Sequence, residues 1–366
     1  MAPIRLGFIG LSADGQWAAR SHLPYFQSKP DDFKIAALQN SSIASAKRAV
    51  EKYQLGNDVA CYEDPESLAN DENVDMVAVS VKVPTHYGFI KPALEAKKQI
   101  FVEWPLAANL KEAEELTALA HKAGVRNIVG LQARQNPSIL RAKQMVENGE
   151  LGEILGTTMY GAGMVLGATE MPVYEYMADI DNGANMLTIP VGHAMDAMCY
   201  VLGEMSELSA KLAIRRPTMD IVDPEGKVLR TVPKTSHDWM SVSGTLQKSG
   251  GIVTVVYQGG VSDTGKDFYW EINGTKGTLV LEAPKGHIQM FHPTIKFVVF
   301  GDGTEKLKEI EVEPAKDFAY NVGKAWDAVI GHGYGSVVTF EDALLRHKMI
   351  EAIYRSNESG KRESYL

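Results

Sequence analysis

The 366-residue sequence predicts an α/β protein in two parts: a doubly wound parallel sheet first, then an α+β domain built on a large, mostly antiparallel open sheet. Three observations carry this prediction. Uniformly apolar runs alternate with segments of helical periodicity through the first third of the chain. Strand-like alternation broken by turn signals fills the middle, and two helical segments close the chain. Strands that are apolar throughout suit a sheet buried on both faces, and strand–helix alternation is how such a sheet is wound. The length suits two domains, which we set at 1–128 and 129–366.

In chain order, IRLGFIG reads as the first strand and SADGQWAARSHLPYFQS as a helix. FKIAALQN, DMVAVSV, QIFVEW and RNIVGLQAR are further strands, separated by the helical stretches SIASAKRAVEKYQL, PTHYGFIKPALEAKK and NLKEAEELTALAHKAG. NPSILRAKQMVENGELGEI begins the second domain as a helix ended by a glycine turn. TTMYGAGMV, SAKLAIRRP, HDWMSVSGTLQ, GGIVTVVYQGG, FYWEINGTKGTLVLE and IKFVVFGDG follow as strands, with turn signals at Gly250-Gly251 and Asn273-Gly274. NVGKAWDAVIG and FEDALLRHKMIEAIYRSN are the closing helices.

Composition narrows the partners. The net charge is −9 and Lys/Arg runs are short, so no direct nucleic-acid partner is expected. No apolar window approaches the ~20 residues of a membrane span, and the N-terminus lacks the pattern of a secretory leader. A cytoplasmic location is expected, or a nuclear one for a regulator. The two cysteines, Cys61 and Cys199, lie far apart and read as reduced thiols; no metal-ligand spacing occurs.

The first strand ends in Gly10-Leu11-Ser12-Ala13-Asp14-Gly15. A dinucleotide site wants G-x-G-x-x-G at this point, between strand and helix. Gly10 makes the tight turn, and Gly15 lets the helix approach the strand. Ser12 replaces the middle glycine with a small side chain whose hydroxyl can donate to phosphate. Gly10, Ser12, Ala13 and Gly15 are therefore expected to bind a pyrophosphate, with Trp17 packing nearby and His22 structural. The second strand ends Gln39-Asn40-Ser41-Ser42, without the carboxylate that bonds a ribose 2′-hydroxyl in NAD sites. Asn40, Ser41 and Ser42 offer donors, so NADP(H) is favoured and NAD(H) remains an option; the other reading is that these residues cap the next helix.

With these elements in place the chain resembles the glucose–fructose oxidoreductase/inositol dehydrogenase (Gfo/Idh/MocA) family. GFIGLS, IFVEWPLA, RQNP, VENGELGEI, GHAMD, INGTKGTLVLE and the closing FEDALLRHKMIEAIYRSNESGKR carry the resemblance. FVEW, LQAR, ILRAK, GHAMD and VPKT, at Val232–Thr235, are closer to the galactose-repressor branch of yeasts. The resemblance implies a Rossmann domain and an open antiparallel sheet that joins two copies as a homodimer. It also implies a cofactor between the domains with a small-molecule substrate over its nicotinamide. On this basis Val81, His86, Glu103, Trp104 and Arg134 are expected at the cofactor, and Tyr174, Tyr176, Asn182 and His193 at the substrate.

The chain departs from the family where chemistry is done. Family enzymes end this strand Glu-Lys-Pro, and the lysine helps move the substrate proton; here Trp104 stands between Glu103 and Pro105. An indole cannot shuttle a proton near neutral pH. The family aspartate four residues before the histidine is replaced by Ile189. His193 remains as an acid/base candidate or as a structural residue. Asp196, one turn on, either orients its imidazole or packs the helix. Lys82 at the end of the fourth strand could supply the missing cation, or be a solvated lysine. Arg134 serves the cofactor or an ion pair.

Two functions follow from the same residues. One is an NAD(P)-dependent oxidoreductase acting on a sugar- or polyol-type carbonyl, or on a C=N compound. An iminium needs no proton as hydride arrives, and Trp104 with the tyrosines could cradle its charge. The other is a non-catalytic, dinucleotide-sensing regulator that docks an activator protein. The enzyme is the favoured reading.

Overall fold

The computed structural model describes residues 2–301, 303, 306–332 and 336–366. It forms two compact units, Met1–Leu131 with Lys316–Leu344, and Gln132–Ala315 with Leu345–Leu366.

The first unit holds a six-stranded parallel sheet of β1 (Ile4–Ile9), β2 (Phe33–Gln39), β3 (Ala60–Tyr62), β4 (Met76–Val79), β5 (Gln99–Glu103) and β6 (Asn127–Gly130). The spatial order is β3-β2-β1-β4-β5-β6. Leu6, Phe8, Leu38, Met76, Val77 and Phe101 are buried in it, as expected of strands covered on both faces. Order reverses between β1 and β4, and ligands bind such sheets at the carboxyl ends of strands flanking a reversal.

The connecting helices are α1 (Trp17–Ser21), α2 (Leu23–Ser28), α3 (Ile43–Tyr53), α4 (Pro65–Ala69), α5 (His86–Glu95) and α6 (Leu110–Ala123). The single helix expected over SADGQWAARSHLPYFQS is instead two short ones, starting only at Trp17 and broken at His22. Pro24 explains the break, because its ring nitrogen cannot donate to the preceding turn. The long helix α6 has the ends its sequence predicts: Asn109 accepts from the Glu112 amide at 3.0 Å, and Gly124 closes it at φ +64°.

The second unit begins with the 3₁₀ turn Gln132–Gln135 and α7 (Pro137–Glu147). Its main sheet comprises β7 (Ile154–Ala162), β9 (Met205–Ala213), β12 (Trp239–Leu246), β13 (Ile252–Gln258), β14 (Phe268–Gly274), β15 (Gly277–Ala283), β16 (Thr294–Val299) and β17 (Lys308–Glu309). The order is β17-β16-β15-β14-β7-β13-β12-β9, antiparallel except where β13 meets β7. Asn273-Gly274 lies inside β14 rather than in the turn, which falls one step later. A second, three-stranded sheet joins β8 (Thr169–Glu170), β10 (Thr218–Val222) and β11 (Val228–Pro233). It was not expected: β8 is two residues long and β11 is largely exposed, so neither carries a burial pattern. The α8 helix (Gly192–Leu202) follows a π-helical turn at Leu187–Val191.

Side chains of the main sheet alternate. Met159, Val253, Val255, Met240, Val242, Trp270 and Leu281 are buried. On the other face, Thr158, Thr254 and Ser243 pair across β7, β13 and β12 and are exposed.

The chain then returns to the first unit as α9 (Tyr320–Val329), and α10 (Phe340–Ser359) ends it. Trp326 of α9 is fully buried, stacked on Phe101 of β5 at 4.2 Å and 18°. It also meets Phe26 and Phe33 edge-on. A single boundary with everything from 129 onward in one domain therefore does not describe this chain. Burial of this tryptophan draws Lys316–Leu344 back to the first sheet, and local periodicity carries no sign of so distant a contact.

Candidate functional site

The glycine turn is held from behind. Asn40 Nδ2 donates to the Leu11 carbonyl at 2.9 Å, the Tyr53 hydroxyl to the Ser12 carbonyl at 2.7 Å, and Lys52 Nζ to the Ala13 carbonyl at 2.5 Å. In a trans peptide, the next residue's N–H points opposite to the carbonyl. Three carbonyls anchored toward β2 and α3 therefore turn the amides of Ser12, Ala13 and Asp14 the other way. The Asp14 amide bonds the Ser12 hydroxyl oxygen at 3.0 Å, while those of Ser12 and Ala13 have no partner among the described residues. Gly10 has φ +95°, and a Cβ there would sit 2.3 Å from the Ser80 carbonyl oxygen and 2.7 Å from Val81. At Gly15, φ +76°, a Cβ would meet nothing. Outward amides over open space fit a dinucleotide pyrophosphate.

The end of β2 differs from expectation in detail. One N–H of the Asn40 amide is engaged by the Leu11 carbonyl, which ties the end of β2 to the turn. Ser42 caps α3, accepting from the Ser45 amide at 3.1 Å. Ser41 is exposed. Trp17 packs edge-on against Phe318 at 5.0 Å, with its indole nitrogen buried and without a partner among the described residues.

At the end of β5 the structure explains Glu103. Trp326 donates its indole N–H to His22 Nδ1 at 3.0 Å, so the other ring nitrogen carries the proton and donates to Glu103 Oε1 at 2.6 Å. Glu103 and His22 thus clamp β5 to the helices behind it. Trp104 is buried, 4% exposed, and the bond to Pro105 is cis. His86 braces two backbone segments of the first unit. Its ring is buried, with Nδ1 2.8 Å from the Pro105 carbonyl oxygen and Nε2 3.1 Å from that of Val81. Burial pushes its pKa down despite these acceptors. Lys82 is exposed at the start of the 3₁₀ turn Val83–Thr85.

In the second unit Arg134 meets Asp196 in a fork, Nε to Oδ2 at 2.8 Å and Nη2 to Oδ1 at 2.7 Å, with both side chains buried. Arg346 Nε lies 3.7 Å from the same carboxylate and its Nη2 bonds Glu204. Asp196 therefore does not orient His193. That imidazole is 3% exposed, its Nδ1 has no partner among the described residues, and burial followed by the proximity of His287 depresses its pKa to about 3. It is neutral at physiological pH and a poor proton donor. Tyr174 and Tyr176 are half-buried neighbours. The Tyr176 hydroxyl is raised to about 12, chiefly by burial. Asn182 donates to the Tyr176 carbonyl at 2.7 Å and fixes that loop.

Sequence reasoning missed Lys52 and Tyr53, which hold the turn, and Gln132, His287 and Gln289, all buried polar residues of the second unit. Gln132 lies in the LQAR stretch and His287 with Gln289 in GHIQ, polar residues inside apolar surroundings, which is the signal that was available.

Residues 4–131 match the family described as oxidoreductase family, NAD-binding Rossmann fold, and residues 137–283 match Gal80p, C-terminal domain. Dehydrogenase aclE of Aspergillus oryzae is 33% identical over 99% of this chain and 98% of its own. The galactose/lactose metabolism regulatory protein GAL80 of Saccharomyces cerevisiae is 30% identical over 98% of this chain and 94% of its own. The crystal structure of a super-repressor mutant of Gal80p from Saccharomyces cerevisiae has a TM-score of 0.91 at 28% identity, covering 99% of this chain and 98% of that one.

Proposed function

Because this chain belongs to the Gfo/Idh/MocA oxidoreductase family, on its galactose-repressor-like branch, we propose that it is a nicotinamide-dependent oxidoreductase acting on a small carbonyl or C=N substrate. The observation that carries this is the turn Gly10–Gly15, whose carbonyls are anchored and whose Ser12 and Ala13 amides are open to a pyrophosphate. Bound there, the dinucleotide supplies or takes up the hydride. The chain's own part is to bind, orient and exclude water. NADP(H) is the preferred form, since no carboxylate at the end of β2 repels a 2′-phosphate; exposed Ser41 and the capped start of α3 are the groups left to meet it.

The reaction is one that asks little of a protein acid. Trp104 cannot donate a proton, Ile189 cannot, and His193 is neutral without a carboxylate behind it. Two copies pair through the open face of the main sheet, around Thr158, Thr254 and Ser243. The test is purified protein with NADPH or NADH and a panel of aldoses, ketoses and cyclic imines, following nicotinamide absorbance. Turnover above background with one class supports the proposal, and tight dinucleotide binding without turnover by any class refutes it.

The second reading is a dinucleotide-sensing regulator that docks an activator protein. The near full-length similarity to a regulatory protein favours it, as does the absence of an acid/base pair, which a sensor does not need. Dinucleotide-dependent capture of a defined transcriptional activator, with no turnover, would support it.

A further inference from the structure

The glycine turn is held by residues far outside it. The last two residues of α3, Lys52 and Tyr53, reach back to it across 39 and 41 positions. Helical side chains lean toward the helix N-terminus, and that end of α3 follows Asn40, which bonds Leu11. Each anchor fixes one peptide plane. Asn40 on the Leu11 carbonyl sets the Ser12 amide, the Tyr53 hydroxyl on the Ser12 carbonyl sets the Ala13 amide, and Lys52 Nζ on the Ala13 carbonyl sets the Asp14 amide. The Tyr53 hydroxyl also senses the far end of the turn: burial raises its pKa, and the Gly15 backbone N–H acts against that rise.

The turn also carries a charge opposed to an anion. The Asp14 amide bonds the Ser12 hydroxyl oxygen at 3.0 Å, and that hydroxyl lies 3.4 Å from the Asp14 carboxylate. The carboxylate therefore belongs to the same turn whose Ser12 and Ala13 amides have no partner among the described residues. Left alone it would repel a pyrophosphate. The Lys52 ammonium, bonded to that turn, brings the opposite charge, and a charged donor also makes the stronger hydrogen bond. Lys52 is exposed, so packing in the core is not what places it there.

We propose that Lys52 and Tyr53 are positioning residues for dinucleotide binding: Tyr53 holds the Ala13 amide toward the pyrophosphate, and Lys52 fixes the next peptide and offsets the Asp14 carboxylate. This rests on the dinucleotide reading and deepens it, and it applies to an oxidoreductase and a regulator alike. Both residues act through the backbone of the turn and not by touching the ligand. A peptide plane released from its anchor turns its N–H away for part of the time, so affinity falls although the ligand loses no side-chain partner. A turn already formed has less ordering to undergo when the ligand arrives.

The test is titration of the full-length protein with NADPH by calorimetry. The control ligand is adenosine 2′-monophosphate, or adenosine if NADH is the form bound, measured by displacement of the dinucleotide. Neither control carries a 5′-phosphate, so neither reaches the turn. Tyr53→Phe removes the hydroxyl and keeps the ring that packs on the core. It and Lys52→Met should each weaken NADPH by about tenfold and leave the control ligand's affinity unchanged. A merely structural role would weaken both ligands together. Lys52→Arg, which keeps the charge and the donor, should restore the parent affinity. The Lys52→Met loss should shrink when Asp14 is also replaced by asparagine, because no carboxylate is then left to offset. Unchanged NADPH affinity in Tyr53→Phe and Lys52→Met, or an equal loss for the control ligand, overturns the proposal. A Lys52→Met loss that is undiminished beside Asp14→Asn overturns the charge offset. If Lys52→Met does not fold, Tyr53→Phe decides. A parent that binds neither NADPH nor NADH removes the dinucleotide reading and the positioning roles with it, an outcome read before any variant is made.

Discussion

Replacing Asp196 by asparagine should destabilise the second unit without touching His193. The substitution keeps the shape and removes one charge. Arg134 and Arg346 have side chains 10% and 1% exposed, and Asp196 is fully buried between them. Breaking a buried ion pair costs about 3–5 kcal/mol, because the remaining charge stays desolvated. Arg346 retains Glu204 and Arg134 retains the Tyr200 ring, 5.2 Å away, so the lower figure of about 3 kcal/mol applies. For a unit of about two hundred residues this lowers the melting temperature by roughly 6–12 °C. Calorimetry reads the shift, and the His193 ring signals in NMR should not change. The double variant Asp196→Leu with Arg134→Met should recover most of the loss, since an apolar pair of similar volume leaves no lone charge. A melting temperature within about 2 °C of the parent for Asp196→Asn, or a His193 tautomer that changes with it, would refute this account.

Stability should fall with acid below about pH 6.5, because His193 and His287 have pKa values depressed to about 3 and about 4. Their unfolded forms bind protons that the folded rings refuse, so stability is full above the unfolded value and is lost as pH falls. Each ring accounts for about 2 kcal/mol between about pH 6.5 and about pH 5, read as a lower urea midpoint. Asn40→Asp should favour NAD(H) over NADP(H) by at least about tenfold, measured by titrating both, because a carboxylate suits a ribose hydroxyl and repels a 2′-phosphate. Equal loss of both cofactors would count against it. Thr254→Arg tests the proposed pairing of two copies: Thr254 is exposed on the open sheet face, so the variant should show a lower mass than the parent in light scattering, and an unchanged mass would refute that pairing.

The strands and helices were largely legible because their evidence is local. Apolar runs such as Leu6–Ile9 and Met76–Val79, and the turn Gly10–Gly15, announce a parallel sheet with a strand-to-helix glycine turn within a few residues each. The loss of a family lysine at Trp104 and aspartate at Ile189 is likewise written in the chain. Helical spacing on both sides of Pro24 masks the break of the first helix at His22.

What the sequence by itself determined is therefore the kind of sheet, the place of the glycine turn, and the identity of Trp104 and Ile189 where the resemblance implies a lysine and an aspartate. The tertiary structure decided which residues serve as partners. Trp326 reaches His22 across 304 positions, and Arg134 reaches Asp196 across 62. Asp196 looked able to orient His193, and the structure gave it to an arginine instead. The tautomer of His22, and the side of the turn on which the Ser12 and Ala13 amides face, follow from hydrogen bonds made by distant groups. The physical reason is that periodicity and turn chemistry act over one or two turns of chain. Burial, protonation and hydrogen-bond direction depend on whatever the fold brings within a few ångströms.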